Sequence, residues 1–298
     1  MARMGRTGSS TVARVRGRVS TEGDDLFYKV TGAGAPILMI AGGGGDGDGF
    51  LPLADQLGDR FTVITYDRRA NARSTANHPS AFSVAQQARD AVAILQAVGE
   101  SSACVLGSSS GAVIALELAQ SHPDTVTRAI LHEPPLTRWA PDAAKWQAFF
   151  EDCCHLSQTK GASQAAAKFG TGVLGKATVA PLLADLRLKL YLRGESKPAD
   201  GRRLPDRLAD EIFIDQELLP VTGYTPDIHL LQRMSAKLTF AAGDWTVRKG
   251  VWLADVARTL AAETDAAFVT LPGSHVSYMD KATQWAPAVA AVFAAPEP

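Results

Sequence analysis

The sequence predicts an α/β fold with a mostly parallel, doubly wound sheet and a helical cap inserted between two late strands. Three observations lead to this prediction. Short apolar runs alternate with amphipathic helical patterns along most of the chain. The apolar runs lack polar alternation, which is typical of strands that are covered on both faces. Between about residues 135 and 235 a helical stretch interrupts this alternation, and then the sheet pattern resumes.

The elements follow one another in a regular order. Residues 1–10 are rich in Gly, Ser and Arg and are expected to form a disordered tail. The segment Val15–Gly32 is expected to form an antiparallel hairpin at the edge of the sheet, and Val84–Gly99 an amphipathic helix. A second helix is expected after Ser110. The remaining strands are predicted at Ala35–Ala41, Phe61–Asp67, Ser102–Gly107, Thr127–Glu133, Ala236–Gly243 and Ala266–Gly273.

The helical stretch divides the chain into a core, residues 11–134 and 236–298, and a cap, residues 135–235. An insertion at this point lies over the carboxyl ends of the strands, where parallel sheets bind ligands. Four aromatic residues of the cap are candidates for an apolar substrate pocket: Trp139, Trp146, Phe149 and Phe150. The same residues would equally serve to pack the cap onto the core.

The composition excludes several classes of protein. The 298 residues carry a formal net charge of −1, so the basic excess of a nucleic-acid-binding protein is absent. The longest apolar runs, such as Trp285–Ala295, are too short to span a bilayer. The amino-terminal segment has no apolar core typical of a secretory signal, and three cysteines make no disulfide framework. We therefore expect a cytoplasmic protein that acts on a small molecule, without a nucleic-acid or membrane partner.

The stretch "VLGSSSGAVIALELA" carries the strongest functional motif. Here Gly107 to Gly111 form a G-x-S-x-G sequence between a predicted strand and a predicted helix. In this setting the middle serine, Ser109, is presented as a nucleophile on a sharp turn. The amino terminus of the helix offers its free N–H groups to an oxyanion, and we expect Ser110 to donate one of them. The alternative is a flexible Gly/Ser-rich turn without a catalytic role.

A second glycine-rich stretch, "MIAGGGGDGDGF", follows an earlier strand. Its backbone could approach a substrate closely, so Gly43, or else Gly44, is expected to supply the second oxyanion donor. The alternative is a mobile loop. A G-x-G-x-x-G pattern lies within the stretch, but the acidic residue of a dinucleotide site is poorly placed, and no Walker lysine follows. We therefore predict no cofactor.

Among six histidines, His275 in "LPGSHVSYM" directly follows the last predicted strand. The chain order serine, acid, histidine of this type of site requires a histidine there. Its imidazole can take the proton of Ser109 and return it to a leaving group. His132, at the end of a strand, is interpreted as a core histidine with its hydrogen bonds satisfied. No set of side chains suggests a metal site.

With these motifs the chain resembles the α/β-hydrolase-fold superfamily over nearly its full length, and in particular its small bacterial serine hydrolases and esterases. The resemblance also includes the segments Tyr66–Ser74, His132–Pro135 and Tyr224–Asp227. One departure is visible. The Asp-x-Arg-Gly-x-Gly turn of the family has Ala70 and Ala72 in place of its two glycines, so we expect a reshaped turn.

The acid of the triad has two candidates. In most members of the superfamily the acid follows the strand predicted here at Ala236–Gly243 and lies about three residues past its final glycine. In this sequence that position is Thr246. Asp244 is close in sequence but follows the glycine directly. Glu133 lies at the tip of the preceding strand, where haloalkane dehalogenases and some other relatives carry their acid. We favour Glu133, with Asp244 as the alternative; a site without any acid is the third interpretation.

Together these features predict a serine hydrolase that cleaves an ester, lactone or thioester of a small to medium apolar substrate through an acyl-enzyme. A serine at the elbow argues against dehalogenases and epoxide hydrolases, which use an aspartate there. Two alternatives stay open. One is a lyase or cyclase that uses His275 as a base without an acyl-enzyme. The other is a ligand-binding protein with little turnover.

Overall fold

The computed structural model describes residues 14–75, 77, 82–174, 186–192 and 206–294, so the tail expected at 1–10 lies outside the described residues. Eight strands form one sheet. Their bounds are β1 (Arg14–Thr21), β2 (Asp24–Thr31), β3 (Ala35–Ile40), β4 (Phe61–Tyr66), β5 (Ala103–Ser108), β6 (Val126–His132), β7 (Leu238–Gly243) and β8 (Ala267–Leu271). These bounds differ from the predicted ones by one or two residues at most ends.

The strand order in the sheet is β1-β2-β4-β3-β5-β6-β7-β8. The hairpin β1–β2 is antiparallel and joins β4 in an antiparallel pair. All other neighbouring strands pair in parallel, from β4–β3 through to β7–β8. The predicted mostly parallel sheet with an antiparallel hairpin at its edge is therefore confirmed.

The helices connect the parallel strands and build the cap. They are α1 (Leu51–Leu57), α2 (Val84–Ala97), α3 (Ser110–Ser121), α4 (Ala143–Lys160), α5 (Ala162–Leu174), α6 (186–192), α7 (Asp206–Glu211), a π-helical segment (Ile212–Glu217), α8 (Leu218–Thr222), α9 (Ile228–Arg233), α10 (Asp244–Arg248), α11 (Trp252–Glu263) and α12 (Ala282–Phe293). Several begin at a short polar residue, as the side chains of Ser83, Asp142 and Asp227 each accept a hydrogen bond from a backbone N–H three residues later.

Both faces of the sheet are buried. Along β3, Leu38 and Ile40 pack into one apolar cluster, whereas Ile37 and Met39 pack into another. This alternation places successive side chains on opposite faces. The first cluster is covered by α2, α3 and α11, and the second by α1 and α12. The sheet is thus covered by helices on both sides, as the uniformly apolar strands indicated.

The cap is inserted in the chain between β6 and β7. Its described helices, α4 to α9, lie between these two strands in sequence, within the range predicted for the cap. Residues of α4, α5, the π-helical segment and α8 enclose a cavity together with residues at the carboxyl ends of the strands. Within the described part of the chain, no helix combines the length and the apolar character needed to cross a membrane.

Candidate active site

Ser109 lies on a strained turn between β5 and α3. Its φ of 56° and ψ of −124° are values that a residue with a side chain rarely adopts. The turn is tight enough to require both flanking glycines. A Cβ on Gly107 would overlap the carbonyl oxygen of Gly111, and a Cβ on Gly111 would overlap that of Ile40. The residues of the G-x-S-x-G motif therefore build a sharp strand-to-helix turn with Ser109 at its tip, the setting in which such motifs present a nucleophile.

His275 follows β8 and binds the carboxylate of Glu133. Its Nδ1 lies 2.5 Å from Oε2 of Glu133, and the side chain of Glu133 is fully buried. The other carboxylate oxygen, Oε1, accepts a hydrogen bond of 2.8 Å from the backbone N–H of Gly243. Glu133 itself has a φ of 49°, a left-handed conformation at the tip of β6. With Nδ1 engaged, Nε2 is the nitrogen of His275 that remains for proton exchange.

Asp244, the alternative acid, has different partners. Its Oδ2 accepts a hydrogen bond of 2.6 Å from Arg248, in an ion pair whose two side chains are 43% and 63% exposed. Its Oδ1 accepts a hydrogen bond of 2.6 Å from the backbone N–H of Gly273. Asp244 thus supports the loop that carries His275 but does not bind the imidazole. The position at which most relatives carry the acid is occupied by the buried side chain of Thr246.

A second imidazole lies beside this pair. His132 is fully buried, and its Nδ1 lies 2.9 Å from Oγ of Ser108. Its ring stacks on that of His275 with centroids 5.9 Å apart. Among the described residues its Nε2 has no hydrogen-bond partner, and it lies 3.7 Å from Oε1 of Glu133. The core histidine expected here is therefore satisfied at one nitrogen only.

Burial and charge act on these groups in opposite directions. Burial lowers the pKa of His132 to about 4, so this imidazole is neutral at pH 7. Burial alone would raise the pKa of Glu133, but the nearby His132, the hydrogen bond from His275 and that from Gly243 lower it to about 2. Glu133 therefore stays ionised at neutral pH and titrates only where His132 is already protonated.

The glycine-rich loop after β3 lies beside the elbow. A Cβ built on Gly42 would lie 3.0 Å from Cβ of Ser109, so a side chain there would crowd Ser109. Gly43 faces the ring of Phe213, whereas Gly44 has open space around it. Among the described residues the N–H of Gly43 makes no backbone hydrogen bond outside helices and strands. Ser110 opens α3, where N–H groups have no intrahelical acceptor. Both expected donors thus belong to backbone that borders Ser109.

The turn after β4 is left-handed at both of the alanines that stand in place of glycines. Ala70 and Ala72 adopt φ values of 64° and 45°. These left-handed values are the ones that glycine adopts without strain. The expectation of a turn reshaped relative to the family stays a prediction. Hydrogen bonds from Arg73 to the carboxylate of Asp67 hold the turn in its present conformation.

Ser109 and His275 line one cavity of about 470 Å³ beneath the cap. Its wall is mostly apolar and combines residues of the cap and the core. The lining residues are Ser109, Ser110, Pro135, Phe150, Phe169, Gly170, Val173, Phe213, Leu218, Val221, Thr222, Trp252, Leu253 and His275. A mostly apolar concave site with a few polar groups at one place is typical of small-molecule binding.

Of the four aromatic residues proposed for the pocket, the wall contains Phe150 alone. Trp139 donates a hydrogen bond of 2.6 Å to Glu263, and Trp146 stacks on Trp252 with centroids 4.5 Å apart. Phe149 packs edge to face against Trp146. Trp139 and Trp146 thus join the cap to the core, and Phe149 packs within the cap, so the assignment of these three residues to the pocket is corrected. Trp146 and Phe149 lie on the same helix as Phe150, and the sequence therefore could not separate them.

Besides Phe150, three aromatic residues line the cavity, and they come from three different places. Phe169 lies on α5, Phe213 on the π-helical segment and Trp252 at the start of α11. Sequence reasoning missed all three. Trp252 carried the clearest signal, because it begins a helix in the connection that follows β7, on the side of the sheet where the sites of parallel sheets lie. Nothing in the local pattern of the cap indicated which face of α5 or of the π-helical segment turns inward.

The comparison with protein families agrees with this geometry. The sequence profile of the family described as "alpha/beta hydrolase fold" matches residues 35–202, more than half of the chain. The chain belongs to the α/β-hydrolase family. The resemblance drawn from the sequence motifs is thereby confirmed, and the protein is a hydrolase of the α/β fold.

Individual members of the α/β-hydrolase family are similar over most of this chain. An uncharacterized hydrolase of Bacillus subtilis (strain 168), YraK, is 29% identical, with 88% of this chain and 90% of that protein covered. An α/β hydrolase of Sphaerobacter thermophilus has 25% identity and a TM-score of 0.66, covering 93% and 100% of the two chains. The fold is also that of an enol-lactonase of Burkholderia xenovorans, with 16% identity, a TM-score of 0.67 and coverages of 93% and 99%.

Proposed function

We propose that this α/β hydrolase is a serine hydrolase that cleaves an ester, lactone or thioester with an apolar acyl group of small to medium size. One observation carries the proposal. Ser109, on a strained elbow, and His275, held by the buried Glu133, line the same apolar cavity. A serine, a histidine and a buried carboxylate are the residue types that acyl transfer uses as nucleophile, base and orienting acid.

In the first half of the reaction, Nε2 of His275 takes the proton of Ser109 while Oγ attacks the acyl carbon. Glu133 holds the imidazole in the tautomer with its proton on Nδ1 and stabilises the imidazolium that forms. The N–H groups of Gly43 and Ser110 donate to the oxyanion of the tetrahedral intermediate. His275 then gives the proton to the leaving alkoxide or thiolate, and the acyl group remains on Ser109.

In the second half, water replaces the leaving group. Nε2 of His275 takes a proton from the water molecule as its oxygen attacks the acyl carbon of the ester formed on Ser109. The second tetrahedral intermediate collapses, the proton returns to Oγ of Ser109, and the carboxylic acid is released. The residues thereby return to their starting state, and no metal or organic cofactor takes part in these steps.

The cavity wall supports an uncharged acyl group. Among the described lining residues His275 is the only one with an ionisable imidazole, carboxylate, amine or guanidinium, so a charged substituent would be desolvated without a partner.

The proposal is tested with a fluorophosphonate probe and a series of p-nitrophenyl esters of rising chain length. We expect labelling at Ser109 and a fall of roughly 10⁴-fold or more in kcat/KM for Ser109→Ala. Ser157→Ala is the matched control. It also removes a serine hydroxyl, but one that is buried in the cap and lies outside the cavity wall. Full turnover by Ser109→Ala would favour the base-only lyase or cyclase, and tight binding without product would favour the ligand-binding protein.

Substrate size is tested at Gly170 on α5. A Cβ built there meets nothing within 4 Å, and the residue lines the cavity. Gly170→Leu should therefore shorten the preferred acyl chain, with a loss of about 0.8 kcal/mol for each methylene excluded. Gly170→Ala is the control for the gain in helix propensity. An unchanged chain-length preference in Gly170→Leu would mean that the acyl group binds elsewhere.

A further inference from the structure

A buried ion pair joins the turn after β4 to the cap. The side chains of Arg68 and Glu217 are both fully buried, although 149 residues separate them in the sequence. Nη2 of Arg68 donates hydrogen bonds of 2.7 and 2.9 Å to the two carboxylate oxygens of Glu217. The same nitrogen donates a hydrogen bond of 2.6 Å to the carbonyl oxygen of Gly42. Among the described residues, Nε and Nη1 of Arg68 have no partner.

The carbonyl that Arg68 binds belongs to the peptide unit proposed to bind the oxyanion. The C=O of Gly42 and the N–H of Gly43 lie in one planar trans peptide, so a bond that orients the oxygen also sets the direction of the N–H. A Cβ on Gly42 would lie 3.7 Å from Oγ of Ser109, so this peptide borders the nucleophile. Arg68 therefore acts on the direction in which the N–H of Gly43 points.

This peptide needs an external restraint. Four successive glycines, Gly42 to Gly45, have more conformational freedom than any other sequence of that length. The loop has one internal bond, from the N–H of Gly45 to the carbonyl oxygen of Gly42, at 3.0 Å. Arg68 adds two more, because its backbone N–H also donates to the carbonyl oxygen of Gly45 at 2.8 Å. One arginine thus holds the loop at two carbonyl oxygens.

The cap contacts this loop from the same short segment that supplies Glu217. Phe213 lies on the π-helical segment Ile212–Glu217, packs directly against Gly43 and lines the cavity. Glu217 ends the segment and binds Arg68. Short π-helical segments occur frequently at functional sites. When the cap is seated, one element therefore covers the peptide of Gly43 and completes the ion pair that orients it.

We propose that Arg68 and Glu217 are a positioning pair, which makes the orientation of the Gly43 N–H depend on the seating of the cap. This inference rests on the proposed function, in which that N–H stabilises the oxyanion. A charged donor on the carbonyl of Gly42 also polarises the peptide and makes its N–H a stronger donor. The pair acts through the peptide and does not touch the substrate.

The experiment replaces both charges together. Removing one partner would leave the other charge buried and unpaired and would unfold the protein for an unrelated reason, whereas apolar replacement of a whole buried pair is often tolerated. In R68M/E217L we expect a cooperative unfolding transition close to that of the unchanged protein. We expect kcat for a p-nitrophenyl ester to fall 10- to 100-fold with KM changed less than 3-fold. The inhibition constant of a boronic acid that mimics the tetrahedral intermediate should rise by the same factor as kcat falls.

The matched control is a neutralisation of the neighbouring pair. Arg69, the next residue of the same turn, binds the buried Asp90 at 2.6 and 2.8 Å but makes no bond to the glycine loop among the described residues. Asp90→Asn leaves Arg69 paired with Asp24, so it should change kcat less than 3-fold, in contrast to the 10- to 100-fold fall expected in R68M/E217L. Arg68→Lys, which retains a cationic donor for the Gly42 carbonyl, should recover part of the loss seen in R68M/E217L.

A readout without substrate separates this inference from the proposed function. With glycine labelled by ¹⁵N, the order parameter of the Gly43 amide should fall from about 0.85 in the unchanged protein to below 0.6 in R68M/E217L, but not in Asp90→Asn. An unchanged order parameter, or a folded R68M/E217L with kcat within 2-fold of the unchanged protein, overturns the inference. Loosening of Gly43 in a protein that hydrolyses no ester would retain the positioning pair and refute the proposed function.

Discussion

Two carboxylates follow neighbouring strands of the sheet and have opposite surroundings. Glu133, after β6, is fully buried in a left-handed conformation and binds the imidazole of His275 and the N–H of Gly243. Asp244, after β7, is half exposed and binds Arg248 at the surface. The two residues are one strand apart, yet only the first is placed to orient a histidine. The comparison teaches that burial and partner, rather than closeness to the usual sequence position, decide what such a carboxylate does.

The largest expected effect comes from exchanging each carboxylate for its amide. In Glu133→Gln an N–H donor faces Nδ1 of His275, which forces the imidazole into the tautomer that cannot accept the proton of Ser109. We expect kcat for a p-nitrophenyl ester to fall roughly 10²- to 10⁴-fold. In Asp244→Asn the acceptor for Gly273 remains, so kcat should stay within about 3-fold. Equal losses in the two variants, at matched stability, would contradict the assignment of the acid.

The next effect concerns stability in acid. The folded pKa of His132 lies at about 4, below its ordinary value of 6.5, so between these pH values the unfolded chain binds a proton that the folded protein does not. Stability therefore falls as the pH drops through this window, by roughly 3 kcal/mol. The lowered pKa of Glu133, about 2 against 4.5, contributes stability above pH 4.5 that is lost on further acidification towards pH 2.

Urea unfolding at pH 7, 5.5 and 4.5 measures how much of this loss of stability in acid is due to His132, at the end of β6. His132→Asn should reduce the loss of unfolding free energy between pH 7 and 4.5, because the residue that takes up the proton on unfolding is gone. Asp244→Asn at the tip of β7 should leave that loss unchanged. A pH profile of His132→Asn that runs parallel to that of the unchanged protein would show that the buried imidazole does not titrate as inferred.

The smallest expected effect concerns backbone strain in the turn after β4, compared with the strain at Glu133 after β6. Glu133 keeps its left-handed conformation next to His275, whereas Ala70 and Ala72 keep theirs in a turn outside the cavity wall. Ala70→Gly and Ala72→Gly should each stabilise the protein by about 0.5–1 kcal/mol, since relief of strain exceeds the added freedom of the unfolded chain. Ala144→Gly, in the exposed face of α4, should destabilise it by about 1 kcal/mol. The midpoints of urea unfolding measure these changes in stability. A loss of stability in Ala70→Gly and Ala72→Gly would contradict the inference that the two alanines are strained.

Local pattern predicted the sheet and part of the site. The glycines around Ser109 and the position of His275 after the last strand are local signals, because each depends on what one short segment must do. The strands were found to within one or two residues at most ends because uninterrupted apolar runs bounded by polar residues are typical of buried parallel strands. The choice between Glu133 and Asp244 was harder, since it depends on which strand tip faces His275 across the sheet.

Contacts between distant segments could not be predicted from the sequence. Arg68 and Glu217 pair across 149 residues, and nothing near either one indicates the other. The face of the cap that turns towards the cavity is set by how α4 packs on α11, so Phe150 reaches the wall while Trp146 stacks on Trp252. The left-handed alanines at positions 70 and 72 were missed for a related reason. Propensity favours glycine there, and only the surrounding contacts hold an alanine in that conformation.

The buried Thr246 has a consequence for how such proteins change over time. It occupies the place where most relatives carry their acid, one strand away from Glu133. A descendant that acquired an aspartate there, while it still had Glu133, would carry a carboxylate after each of two neighbouring strands. Either carboxylate could then be lost without an inactive intermediate. The position of the proposed acid could thus change from one strand to the next while His275 and Ser109 stay in place.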